Sequence, residues 1–269
     1  MLTICFGDLV LDVIVRLDQP LAPGADATSH VVLRPGGQAA NVAAWIAALG
    51  GSSRFVGKRG ADDAGRLVAS QVATLGVELA GPVEDAGTGV IVSLVARDGE
   101  RSMCSDRGVA MELRAEELDP RWLAGGDRLH VSGYALLREP VRFAAARAVE
   151  LAREGGASVS IDLSSWSAIR DFGPSAFREL VEELAPDLVF ANEAEDAIVG
   201  GPIEGAVWIL KRGAKGCSFD GTERAALPVA EVVDATGAGD ALAAGFIVGG
   251  PNLALEAAAR CVQQAGSLP

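Results

Sequence analysis

Residues 2–6 form a short, nearly unbroken apolar run that stops at Gly7-Asp8, the pattern of a buried strand. Strand-like stretches at 11–17 and 30–33, joined through Pro20, Pro23 and Gly24, predict two further strands and a loop. Residues 39–49 are small and apolar and run into Gly50-Gly51, which predicts a packed helix with glycines at its C-terminus. A strand at 54–57 and a helix at 63–75 closed by Gly76 come next. Residues 89–96 and 100–104 flank Arg97-Asp98-Gly99, whose Asp-Gly pair signals a hairpin. The first part of the chain therefore carries two strand-rich excursions.

From about residue 127 the spacing changes. Apolar strands at 128–132, 158–162 and 188–191 alternate with helices at 140–153 and 175–183 and a short helical turn after Asn192. Such alternation predicts an α/β fold, a mostly parallel sheet covered by helices. A strand at 207–211, a hairpin over 216–219 and 224–227, and helices at 237–248 and 253–265 complete the pattern. Segment 200–206 is too short for a crossover helix. In an open α/β sheet ligands collect beyond the carboxyl ends of the strands. Gly7-Asp8, Asp162, Asn192, Gly213 and the stretch 234–240 all follow predicted strands and so become candidates.

Composition narrows the function. With 269 residues the chain suits one large domain with a small accessory element. The net charge of -13 repels phosphate backbones and anionic lipid, which argues against nucleic acid and membrane as partners. No uninterrupted apolar run approaches the ~20 residues of a bilayer span, and the start lacks a basic region before its apolar run. Cys5, Cys104, Cys217 and Cys261 are scattered without metal-binding or disulfide spacing, so reduced thiols and a cytoplasmic location are expected.

Two glycine-rich turns carry the candidate chemistry. Asp234-Ala235-Thr236-Gly237-Ala238-Gly239-Asp240 precedes an apolar helix, where small residues and free N–H groups make an anion site. An Asp on that turn can accept a proton from an attacking hydroxyl; a simple helix cap is the plainer alternative. Gly36-Gly37-Gln38-Ala39-Ala40-Asn41 enters the first helix, and the Asn41 amide suits vicinal hydroxyls. Neither turn matches a Walker A loop or a G-x-G-x-x-G dinucleotide loop.

Taken together, these segments resemble the N- and C-terminal signatures of the ribokinase/PfkB family of carbohydrate and nucleoside kinases. Their order and separation fit that family, as do Gly7-Asp8 with Asp12, Asn192-Glu193-Ala194-Glu195, and Lys211-Arg212-Gly213-Ala214-Lys215-Gly216. The resemblance implies a single ribokinase-like domain over 1–269, with a small β lid formed by 11–35 and 88–107. It implies an ATP- and Mg²⁺-dependent phosphoryl transfer to a hydroxyl of a small sugar or sugar derivative. A nucleoside kinase and a non-catalytic sugar-binding sensor on the same fold are the alternatives.

By the same resemblance Asp240 is the general base and Gly237, Ala238 and Gly239 form the anion hole. Asp8, Asp12, Gly37, Asn41 and Arg107 face the acceptor. Lys211, Gly213, Gly216 and Asn192 face the nucleotide, and Glu195 positions Mg²⁺ through water. Asn192 with Glu195 is equally a capping box. Asp234 and Thr236 correspond to positions that bind a monovalent cation such as K⁺, and the lid is a dimer contact in several relatives. Ribose-specific relatives carry a polar residue at Val10, a Lys at Gln38 and a Glu near Gly133, so the resemblance implies phosphoryl transfer without implying ribose.

Overall fold

The computed structural model describes residues 1–97 and 101–269. In chain order its strands begin with β1 (Leu2–Phe6), β2 (Val10–Leu17), β3 (Ser29–Gly36), β4 (Ser52–Val56), β5 (Arg59–Gly60), β6 (Glu78–Ala80) and β7 (Val83–Glu84). They continue with β8 (Thr88–Val95), β9 (Arg101–Gly108), β10 (Arg128–Ser132), β11 (Ser158–Asp162), β12 (Leu188–Asn192), β13 (Val207–Lys211), β14 (Cys217–Phe219) and β15 (Thr222–Arg224). The helices are α1 (Gln38–Ala48), α2 (Asp63–Thr74), α3 (Val141–Glu154), α4 (Trp166–Phe172), α5 (Pro174–Leu184), α6 (Glu193–Val199) and α7 (Ala238–Cys261).

The main sheet has nine strands in the order β15-β14-β13-β12-β11-β10-β1-β4-β6. All are parallel except the β13–β14–β15 edge, which folds back as a hairpin. Side chains alternate across it as the pleat requires. Ile4 and Phe6 of β1 join Leu129, Val131, Val159 and Ile161 in a core beneath α3 and α5. Cys5 points the other way, into a second core with Trp45, Phe55, Phe190 and Ala244 beneath α1 and α7. The predicted parallel sheet with helices on both faces is therefore present.

A smaller sheet, ordered β3-β2-β8-β9, stands over one edge of the strand ends. Within it β2 pairs antiparallel with β3, in parallel with β8, and β8 antiparallel with β9. The Asp98-Gly99 turn lies outside the described residues, although the strands on either side pair from Val95 with Arg101.

Two local readings need correction. Helix α4 and the short strands β5, β6 and β7 carry too little periodic pattern to be seen beforehand. The last helix stops at Cys261, because the following residues turn back toward Gly237 and Asp234 and cannot continue the spiral. The two predicted C-terminal helices are both present within α7, separated by non-helical Gly249 and Gly250 ahead of Pro251. Among the described residues α7 alone has the length and apolarity of a membrane span, yet half of its most apolar window is buried within the protein.

Candidate active site

The parallel strands end on one edge of the main sheet, and their terminal residues meet there. Asp8 follows β1, Asp162 ends β11, Asn192 ends β12 and Lys211 ends β13. The turn 234–240 then brings the N-terminus of α7 onto the same edge.

On the acceptor side, Gly37 begins α1 with φ +98° and lies against the Asp8 carbonyl, where a Cβ has no room. The Asp12 carboxylate fills the space beside Gly36, which is paired with Val10, two residues before Asp12 on the neighbouring strand of the smaller sheet. Asp8 is fully buried and ion-paired with Arg107, whose guanidinium also stacks 3.5 Å above the Tyr134 ring. The other oxygen of Asp8, Oδ1, is buried and has no hydrogen-bond partner among the described residues. Such an acceptor is costly to leave unsatisfied, and a hydroxyl donor resolves it. Burial lifts the Asp12 carboxyl to about 7, with the Asp8 charge adding to the rise and Arg107 opposing it.

The catalytic candidates sit one step away. Asn41 donates its amide Nδ2–H to Asp240 Oδ2 at 2.8 Å, joining two segments 199 residues apart. Loss of water raises the Asp240 carboxyl to about 7; the Asp162 charge adds to this, while the Asn41 hydrogen bond and Lys211 pull it down. Gly237 starts α7 in the left-handed region, φ +76°, and a Cβ there would meet Ser267 Cα at 2.6 Å. Gly239 and Asp240 follow on the first helical turn, ahead of the first helical bond from Ala241 N–H to the Gly237 carbonyl. Ala238 N–H reaches back to the Ala235 carbonyl at 3.4 Å. Thr236 donates to Asp234 Oδ1 through both N–H (2.9 Å) and hydroxyl (2.6 Å), and Gly266 N–H donates to Oδ2. These bonds brace the turn.

On the nucleotide side, Lys211 Nζ pairs with buried Asp162 at 2.6 Å. The same Nζ is 3.3 Å from the position of a Cβ on Gly239, so the ammonium lies against the α7 turn. Burial lowers the pKa of this lysine, but Asp162 and Glu195 outweigh it and leave the group firmly protonated. Asn192 and Glu195 form the reciprocal capping box: Asn192 Oδ1 accepts from two α6 amides and Glu195 accepts from Asn192 N–H and Nδ2–H. Glu195 is 1% exposed and both of its carboxylate oxygens are engaged by Asn192, so the pair stands here as the cap of α6. Among the described residues no cluster of three or more His, Cys, Asp or Glu side chains is arranged to hold a metal. Gly213 and Gly216 form the tight turn between β13 and β14, pinned by the Arg212 N–H to Gly216 carbonyl bond.

Several contributors escaped the sequence reading. Ser267, Tyr134 and the Asp8–Arg107 pairing depend on long-range contacts that no local motif signals. Asp162 was visible as a strand-end carboxylate, but its partner was not. The departures are explained sterically: a side chain at Gly133 would meet the Asp162 and Leu163 carbonyl oxygens at 2.6 Å. Gln38, where a Lys stands in ribose-specific relatives, accepts hydrogen bonds from Ser132 and Ser164.

A glycine turn at the strand ends, with Asp240 beside it and a polar cleft facing it, defines an α/β protein with a candidate ligand site where such sheets bind their ligands. The model of the pfkB family of carbohydrate kinases matches residues 2–268, and the chain belongs to that family. It is 33% identical over 264 residues to fructokinase-1 of Oryza sativa subsp. japonica, covering 89% of this chain and 80% of that protein. It is also 33% identical over 274 residues to the ATP-dependent ribose-1-phosphate kinase of Halopiger xanaduensis, covering 95% and 88%. Among solved structures, adenosine kinase from Sinorhizobium meliloti superimposes with a TM-score of 0.86 at 25% identity, covering 99% of this chain and 95% of that one.

Proposed function

We propose that this carbohydrate kinase transfers the γ-phosphoryl group of ATP to a hydroxyl of a small, neutral sugar, with Asp240 as general base. The observation that carries the reading is the Asn41–Asp240 hydrogen bond, because it brings the acceptor-side and phosphate-side signatures into one site. In the in-line step the acceptor oxygen forms the new P–O bond as the bond to the ADP oxygen breaks and ADP leaves with the electron pair. The hydroxyl proton passes to Asp240, whose carboxyl, held near 7, is well matched to that task at neutral pH.

The amides of Gly237 and Gly239 and the α7 dipole face the charge that builds on the phosphoryl oxygens, while the Ala238 N–H is held by the Ala235 carbonyl. Lys211 adds a fixed positive charge beside them. Magnesium bound with the nucleotide would neutralise triphosphate charge, and Glu195 with Asn192 are the residues that would orient its waters on this reading. The smaller sheet over the acceptor side serves as the lid that excludes water.

A neutral acceptor is favoured by the charges around it. Arg107 is already matched by Asp8, and Asp12 lies alongside, so the cation nearest the acceptor side is committed to a carboxylate. The cavity of about 840 Å³ beyond Arg107 mixes Lys58, Arg114 and Arg138 with Glu84, Glu112 and Glu116, so no one sign dominates it. The test is ADP release over a panel including fructose, ribose, ribose 1-phosphate, sugar acids and adenosine. Turnover highest with an uncharged sugar supports the reading; turnover confined to ribose 1-phosphate or to adenosine replaces it.

A further inference from the structure

The C-terminal stretch 266–269 packs into the catalytic centre. Ser267 is 2% exposed, and its hydroxyl donates to Asn41 Oδ1 at 3.0 Å. Its carbonyl accepts from Trp45 Nε1–H at 2.8 Å, and the preceding Gly266 N–H is bound to Asp234. Gly237 is pressed directly against its Cα. Asn41 and Trp45, four residues apart, lie on one face of α1, so the same helix face receives both Ser267 contacts.

The direction of these bonds follows from donor and acceptor chemistry. An ionised Asp240 can only accept, so the Asn41 amide must turn its NH₂ group toward the carboxylate. That leaves Asn41 Oδ1 for Ser267, and the hydroxyl must be the donor there. An Asn without the serine is free to flip and present its oxygen to the carboxylate, a repulsive arrangement. We infer that Ser267 is a positioning residue for phosphoryl transfer: it locks the Asn41 amide so that Asp240 Oδ2 stays engaged and the other carboxylate oxygen is left for the acceptor proton. This inference rests on Asp240 being the general base.

The other groups facing Asp240 are Asp162 and Lys211 at the strand ends, Asp8 after β1, Tyr134 after β10 and Cys261 at the end of α7. None is changed in the test. Ser267→Ala, Asn41→Ala and the double variant are compared with the wild-type chain in two ways. One is the pH profile of kcat with the best acceptor of the panel; the other is ¹³C NMR titration of labelled aspartate carboxyls, with Asp240 assigned through Asp240→Asn.

Because the hydrogen bond favours the ionised form, losing it raises the carboxyl's titration point. Ser267→Ala is expected to move it upward by roughly half to one unit and to lower kcat about tenfold, with the KM for ATP unchanged. In the Asn41→Ala background it is expected to add nothing further. An unmoved titration with normal kcat overturns the proposal, as does a shift that adds in full to that of Asn41→Ala. If Ser267→Ala melts too low to study, Ser267→Cys keeps the volume with a weak donor and carries the same comparison. Should the wild-type chain phosphorylate no acceptor, the kinase reading fails on that ground, while the NMR titration still decides whether Ser267 acts through Asn41.

Discussion

Asp240 and Asp12 are carboxyls held near 7 by the site that surrounds them, and the consequences for activity and stability have opposite signs. As a base Asp240 must be ionised, so kcat/KM is expected to rise through about pH 7 as its carboxyl loses its proton and to level off above it. Stability runs the other way. A carboxyl raised from 3.8 to about 7 binds its proton more tightly when folded, so its contribution is full below the unfolded value and is lost as pH climbs through 7. Asp240→Asn is therefore expected to reduce turnover roughly 10²–10⁴-fold and to melt above the wild type at pH 8, the gap narrowing toward pH 5. A melting scan at both pH values checks this. Arg107→Ala strands a buried Asp8 and is expected to destabilise by about 3 kcal/mol and to raise the acceptor KM, leaving that of ATP unchanged, as denaturation and steady-state kinetics will show. The residues found in advance, such as Asn41 and Asp240, sit inside short motifs that state their own context. Ser267 and the Asp8–Arg107 pair were not found, because each is defined by a partner far along the chain and neither carries a local pattern.

The elements repeat this division. Strand β1 and the strands from β10 to β13 were legible because apolar runs of five residues ending in polar strand-end groups admit little else. The smaller sheet was legible as strands, but its order was not: parallel pairing of β2 with β8 joins residues some 80 positions apart, such as Leu11 with Val90. The end of α7 was misread because composition favours helix through residue 265, and only the docking of the tail on Gly237 and Trp45 explains the stop. The junction of β3 with α1 is the most constrained element boundary of the site. Gly37→Ala places a Cβ against the Asp8 carbonyl at φ +98°, and neither neighbour has space to yield. A loss of about 2–4 kcal/mol is expected in urea unfolding, with a raised acceptor KM in whatever protein folds.

At the scale of the whole molecule, a chain of net charge -13 is paired on the proposed reading with a nucleotide that is itself strongly anionic. The general field opposes that encounter, so the proposal assigns the affinity to the α7 amides, Lys211 and the magnesium ion carried with ATP. Raising salt screens the repulsion more than the short-range contacts; kcat/KM for MgATP is expected to hold or rise modestly between 0.05 and 0.5 M salt, on the order of twofold, and stopped assays across that range will check it. Removing magnesium with a chelator is expected to abolish turnover, and adding it back to restore it. The central claim is that one site, spanning residues brought together from positions 8 to 240, moves phosphate from ATP to a sugar hydroxyl. The most direct measurement is ADP release from wild-type protein and Asp240→Asn across the acceptor panel. The account predicts sugar-dependent turnover in the first, reduced at least about a hundredfold in a folded second. Equal turnover in the two, or none with any sugar, contradicts it.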